Sequence, residues 1–270
     1  MPGRFRRPTD DADIPRRSPL LIRLFGLYVR HYVRRHFHAV RLARETIPSP
    51  AADRPLIVYA NHCSWWDPLI CMVAAMELFP ERSHYAPMDE AALARYRFFS
   101  RLGFFGVEPD SRRGAVALLR KGTAILSQPS ATLWITPQGR FADPRERPVS
   151  LKPGMGHLAL RVGRCDLLPL AIEYPFGEER FPEALLRFGS VTRAEAYERE
   201  SGRETTDALA ELLERTQDDL AEAAVARDFS GFDVLLRGRS GIGGVYDAWR
   251  RLKAAVAGEE FRPAHGDEQL

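Results

Sequence analysis

Five apolar residues, Leu56-Ile-Val-Tyr-Ala60, run without a break into Asn61-His62-Cys-Ser-Trp-Trp-Asp67-Pro68. The first five lack alternation and follow Pro55, which predicts a short strand buried on both faces. Asp and Pro are favoured where a helix opens, so the apolar run that follows predicts a helix over Asp67–Leu78. A buried strand that turns into a helix is the building unit of an α/β sheet. It sets His62 at a strand's carboxyl end, where such sheets assemble their sites.

Outward from this unit the pattern repeats. Strands are expected at 84–87, Phe104–Val107, 132–136, 167–174 and 184–191, and helices at 90–101, 113–127 and Gly154–Val162. The alternation predicts an α/β fold: a mixed, largely parallel sheet flanked by helices and preceded by an N-terminal basic amphipathic helix. Toward the C-terminus, residues 204–227 read as a long polar helix striped by Leu209, Leu212, Leu213 and Leu220, and 245–256 as another. Gly238-Arg-Ser-Gly-Ile-Gly-Gly244 lacks the Lys-Ser/Thr of a phosphate-binding P-loop, follows no convincing strand and reads as a connecting loop. The expected layout is a disordered tail at 1–19, the amphipathic helix at 20–46, a Pro-rich linker, the main domain at 56–258 and a tail at 259–270.

Charge is distributed unevenly along the 270 residues. Residues 1–44 hold eleven Arg and three Asp, a balance of +8, whereas the remainder carries −5. This excludes a uniformly basic nucleic-acid binder and predicts a basic arm on a mildly acidic body. Within 20–44, Arg23, Arg30, Arg34 and Arg41 fall on one helical face opposite Leu21, Phe25, Tyr28, Val29, Tyr32 and Val40. Such a helix suits the surface of an anionic membrane, and packing of its apolar face on the body is the plainer alternative. No apolar stretch approaches the length of a membrane span. Cys63, Cys71 and Cys165 are too scattered for a disulfide framework or a zinc site, which fits a reducing, cytoplasmic compartment. The expected location is therefore cytoplasmic, peripheral (monotopic) on the inner face of the cell membrane.

His62 and Asp67 are the candidate chemistry. The imidazole can fold back across the turn onto the carboxylate, which would fix its tautomer and leave the second nitrogen to take a proton from a hydroxyl. The plainer reading makes Asp67 a helix cap and His62 a loop residue. Cys63 and Ser64 are rival nucleophiles, although neither sits in a G-x-S-x-G elbow. Trp65 and Trp66 read as packing or interfacial residues.

Asn61-His-Cys-Ser-Trp-Trp-Asp67 resembles the N-H-x-x-x-x-D signature of the glycerol-phosphate and lysophospholipid acyltransferase family, whose members acylate 1-acyl-glycerol-3-phosphate. Three further blocks follow in the family's order. They are Gly103-Phe-Phe-Gly-Val107, Thr136-Pro-Gln-Gly-Arg140 in the place of F-P-E-G-T-R, and Leu168-Pro-Leu-Ala-Ile172. The resemblance covers residues 20–190. It implies that His62 is the general base, that Asp67 orients it, and that a deprotonated lipid hydroxyl attacks the thioester of acyl-CoA or acyl-carrier protein. An activated thioester needs no cofactor and no metal, only a base, alignment and an oxyanion donor. The expected partners are a lipid acceptor, the acyl thioester donor and an anionic membrane, with no nucleic acid.

By the same resemblance Asn61, Thr136, Pro137, Gln138, Gly139 and Arg140 belong to substrate binding, with backbone N–H groups of 136–139 as oxyanion donors. The chain also departs from the family. Gly106 and Pro109 replace the Phe and Arg of the second block, and Gln138, Arg140 and Phe141 replace the Glu, Thr and Arg of the third. Loss of two phosphate-binding arginines removes charge-assisted contacts. Arg112, Arg113 and Arg140 are then the expected substitutes, unless the acceptor carries no phosphate there. A lipid-binding protein that has lost catalysis, or a thioesterase-like hydrolase, are the alternative functions.

Overall fold

The computed structural model of the chain describes residues 14–240. The expected helix at 245–256 and the tail at 259–270 lie outside them. Helix α1 covers Pro19–His36. Ser18 caps it by accepting the Leu21 N–H, and Arg34, Arg35 and His36 fill its last turn, where cations suit the helix dipole. The expected helix over 20–44 is therefore shortened, because Ala39–Ala43 form strand β1. That run is buried throughout and hydrogen-bonded to strands on both sides. Arg41 thus leaves the basic helical stripe and pairs in the interior with Glu183. Just before α1, Ser18 caps the helix and the Arg17 guanidinium lies over the Tyr85 ring.

The remaining strands are β2 (Leu56–Ala60), β3 (Ser83–Asp89), β4 (Phe104–Val107), β5 (Ala131–Ile135), β6 (Asp166–Glu173), β7 (Glu183–Phe188), β8 (Thr192–Arg193) and β9 (Phe232–Arg237). They form one sheet in the order β4-β3-β5-β2-β6-β7-β1-β9, with β8 paired to β6. The strands β4, β3, β5, β2 and β6 are mutually parallel; β7, β8 and β9 each make an antiparallel pairing. The expected α/β class and mixed, largely parallel sheet are what the chain adopts.

Helices α2 (Asp67–Leu78), α3 (Glu90–Arg95), α4 (Arg112–Ile125), α5 (Gly154–Val162) and α6 (Gly202–Ala226) complete the fold. Two apolar cores fill the two faces of the sheet. Leu56, Val58 and Ala60 of β2 pack with Val29 and Val33 of α1 and Ile70 and Val73 of α2, while Ile57 and Tyr59 face Met155, Leu158, Leu209 and Leu213 of α5 and α6. The period-two split of five continuous apolar residues is the reason β2 shows no polar alternation.

Two other expectations are revised. The helix over 90–101 breaks at Tyr96, and a tighter 3-10 segment, Arg97–Leu102, carries Phe98 and Phe99 against Phe25 of α1. The Gly238 loop does follow a strand, β9, whose partly exposed side chains hid it from a hydrophobicity pattern.

Candidate active site

β2 delivers Asn61 and His62 to the carboxyl edge of the sheet. The Asn61 side chain donates to the Ile172 carbonyl at 3.0 Å and accepts the Ile172 N–H at 2.8 Å, which extends the β2–β6 ladder by a residue. Asn61 is buried and satisfied by this bridge. Both polar atoms of its side chain are thereby engaged with the Ile172 backbone.

His62 Nδ1 lies 2.7 Å from Asp67 Oδ2. Asp67 does not cap α2; it stands in the first turn, Trp66 occupies the cap position, and no side chain caps there. The carboxylate is instead turned inward and wholly buried. It accepts the Ser64 N–H at 2.9 Å and the Tyr174 hydroxyl at 2.7 Å, with the Cys63 thiol at 3.7 Å. Donors on both oxygens compensate the burial of its charge. An ionised Asp67 only accepts, so Nδ1 carries the proton and His62 Nε2 is left with its lone pair. The imidazole is 21% exposed, and Nε2 has no hydrogen-bond partner among the described residues. Its exposed neighbour is Phe141, whose ring centroid lies 4.3 Å away.

The loop after β5 fixes the histidine from the other side. Gln138 Oε1 accepts the His62 N–H at 2.7 Å, and the Ala142 N–H donates to the His62 carbonyl at 2.8 Å. Gln138 is buried and holds the histidine backbone. Pro137 has no N–H, although its carbonyl accepts from Lys152 N, and the Gly139 N–H is committed to the Thr136 carbonyl at 3.1 Å. The expected oxyanion donors of 136–139 therefore lose Gly139. That residue has φ +64°, the left-handed region that glycine adopts without strain.

The expected basic substitutes are engaged elsewhere. Arg140 pairs with Glu146, Arg113 with Glu108 and Glu90, and Lys152 with Asp110. Arg112 and Arg113 open α4 beside the edge strand β4, three strands from β2, a lateral distance of about 14 Å at the usual strand spacing. The structure does not bring them to His62. A further pair, Arg145 with the buried Glu173, stands just past the end of the fourth block.

The rival nucleophiles are disfavoured. Burial, and then the neighbouring Asp67 charge, push the Cys63 thiol well above its usual range, so it stays protonated and unreactive. Ser64 Oγ accepts the Trp66 N–H at 3.2 Å. Tyr174 is the functional neighbour that the sequence did not reveal. Burial first, and Asp67 second, raise its hydroxyl well above the usual tyrosine value, so it remains a donor. The pairing of β6 with β2 puts it there, and sequence spacing carries no trace of that adjacency.

No curated protein matches this chain. A family model described as Acyltransferase matches residues 38–173, about half of the chain, from the entry into β1 to the last residue of β6. That span contains the buried carboxylate, the histidine with one free nitrogen and the loop that clamps it. The chain belongs to the Acyltransferase family, the glycerolipid acyltransferases, and is an acyltransferase enzyme.

Proposed function

We propose that the enzyme moves a fatty acyl group from the thioester of acyl-CoA or acyl-carrier protein to a lipid hydroxyl, with His62 as general base and Asp67 as its orienting partner. The observation that carries this reading is the free Nε2 at the sheet's carboxyl edge, with Nδ1 held by a buried carboxylate. In the reaction Nε2 takes the hydroxyl proton as the oxygen adds to the thioester carbonyl. The tetrahedral intermediate then expels the thiolate, which recovers the proton from the imidazolium, so one C–O bond forms and one C–S bond breaks. No covalent enzyme intermediate is needed. Replacement of His62 by Ala should lower thiol release from acyl-CoA by about a thousandfold per folded molecule. An active His62→Ala protein would overturn the mechanism, and free fatty acid as the sole product would favour the hydrolase.

The acceptor carries no phosphate beside the reacting hydroxyl; it is a neutral lipid or glycolipid. The cations near the clamping loop, Arg140, Arg145 and Lys152, each already face a carboxylate, and Phe141 stands where the family has an arginine. A phosphate would have to displace these ion pairs and would meet an aromatic ring. In competition assays between monoacylglycerol and 1-acyl-glycerol-3-phosphate the neutral acceptor should win, and Phe141→Arg should move the ratio toward the phosphate by several-fold, on the order of one new charge-assisted contact. Preference of the wild-type enzyme for the phosphate refutes this part.

The same reading gives α1 a role at the inner face of the cell membrane. No helix among the described residues is long and apolar enough to cross a membrane. α1 buries Gly26, Val29 and Val33 on the body, yet Leu20, Leu24, Leu27 and Tyr28 are more than half exposed beside Arg23, Arg34 and Arg35. Exposed leucines flanked by guanidinium groups suit the boundary of an anionic bilayer.

A further inference from the structure

We propose that the docking surface for anionic lipid is built from two elements, α1 and the segment 95–101. This rests on the reading of the enzyme as one that meets its acceptor at a bilayer. The segment begins with the last residue of α3 and contains Arg95, Tyr96, Arg97, Phe98 and Arg101, all exposed. Tyr96 is 46% and Phe98 42% exposed, unusual for large rings on a surface with a core available. The segment is held against α1, since the Ser18 N–H donates to the Arg101 carbonyl at 2.8 Å and the Phe25 ring lies 5.9 Å from Phe98 and 5.8 Å from Phe99.

The rings continue toward the dyad. From Phe98 the contacts pass through Phe25 to Tyr28 at 5.7 Å, from Tyr28 to Tyr32 at 5.6 Å, and from Tyr32 to Trp65 at 6.3 Å. Trp65 is 57% exposed and stands two residues before Asp67. An aromatic row, exposed at Phe98, Tyr28 and Trp65 and half-buried at Phe25 and Tyr32, thus leads from the segment 95–101 to the threshold of the site. Large exposed apolar patches mark interaction surfaces, and aromatic rings mixed with arginine are the residues that settle at the headgroup level of a bilayer.

Charge selects the occupant. No Asp or Glu occurs from 14 to 44 or from 91 to 107. Glu77 is the acidic residue that reaches α1, and Arg30 neutralises it. Arg23, Arg95, Arg97 and Arg101 form no ion pair among the described residues, in contrast to the paired arginines around the clamping loop. An unpaired cationic, aromatic surface complements anionic phospholipid, which presents the same charge everywhere and needs no matched carboxylates.

The test is cosedimentation of the full-length enzyme with vesicles of phosphatidylcholine containing about a third phosphatidylglycerol, against vesicles of phosphatidylcholine alone. The variant Arg95→Ser/Arg97→Ser/Arg101→Ser alters exposed side chains and leaves α1 untouched. It should weaken binding to the anionic vesicles roughly a hundredfold, given the usual contribution of each arginine near such a surface. Tyr96→Ser/Phe98→Ser should weaken binding to both kinds of vesicle. Wild-type affinity in the triple variant, or absence of vesicle binding by the wild-type enzyme, overturns the proposal; the second result would point to a protein partner for this surface. Thiol release from acyl-CoA with a detergent-dispersed monoacylglycerol is measured in parallel and should survive both variants. If the wild-type enzyme shows no transfer, the catalytic reading fails while the vesicle result still decides this one.

Discussion

Among the described residues two histidines are bound to buried carboxylates, and only one of them is equipped for chemistry. At the carboxyl edge of β2, His62 Nδ1 meets Asp67 at 2.7 Å and leaves Nε2 open. Across the sheet, where β7, β1 and β9 are neighbours, His38 Nδ1 meets Glu183 at 2.5 Å, but its Nε2 is engaged with Ser240 Oγ at 3.1 Å and the residue is 3% exposed. Glu183 is further neutralised by Arg41, whose Nε lies 3.1 Å from its second oxygen. A His–carboxylate distance therefore does not identify a base. A nitrogen with a free lone pair, within reach of solvent and substrate, does.

The strongest way to break this contrast is to exchange the costs. His62→Ala should remove about three orders of magnitude of acyl transfer per folded molecule, and the chain should still fold because Asp67 keeps the Ser64 N–H and the Tyr174 hydroxyl. His38→Ala should do the reverse, with transfer per folded molecule intact. It removes a partner from a buried carboxylate that keeps its arginine, so about 2 kcal/mol of stability should go. Urea unfolding and thiol release on both variants check this, and the contrast collapses if His38→Ala reduces turnover while stability is unchanged.

A third histidine sharpens it through pH. His84 accepts from the Trp134 indole N–H at Nδ1, 3.1 Å, and donates from Nε2 to the Phe79 carbonyl at 2.9 Å, so the neutral ring is satisfied at both nitrogens. Burial, reinforced by the charges of Arg17 and Arg82 and opposed by the Phe79 carbonyl, lowers it from the usual 6.5 to about 4. The unfolded chain binds this proton first. Stability from the site is complete above about pH 6.5, declines as the pH falls, and is lost by about pH 4, to a total of about 3 kcal/mol. His84→Gln should flatten the fall of the urea midpoint across that window. Parallel slopes for variant and wild type would rule the site out as its source.

Much of the fold was legible because its central strands announce themselves. β2 reads as an unbroken apolar run, and α2 and α5 begin and end where the pattern places them. β1 was hidden because Arg41 and the terminal Arg44 continue the spacing of the basic helix, and only the buried Glu183 on a strand remote in sequence turns Arg41 inward. The site was legible in its chemical pair and illegible in its supports. Asn61 and Gln138 look like ligand contacts in a linear motif. Their partners, the Ile172 backbone and the His62 N–H, come from the register of β6 beside β2 and from the fold of the loop after β5. Tyr174 is the clearest case, since nothing in the local sequence shows that its hydroxyl reaches across to α2.

Tyr174 also supplies the finest test of what separates the two histidine pairs. Its hydroxyl takes part of the negative charge of Asp67 Oδ1, while Oδ2 is left to Ser64 and His62. In Tyr174→Phe the ring and its packing against Phe37 at 5.7 Å are retained, so the change is confined to one hydrogen bond. With that bond gone, Asp67 keeps fewer of the groups that fix it against the imidazole. The maximal rate should fall about tenfold while KM for the thioester changes little, because the lost bond orients the base and touches no substrate. If Tyr174 only filled space, kcat of Tyr174→Phe would equal that of the wild type. A lowered kcat at constant KM instead ties the exposed nitrogen to a hydroxyl just past the neighbouring strand, a connection that the Arg41-neutralised pair at His38 does not possess.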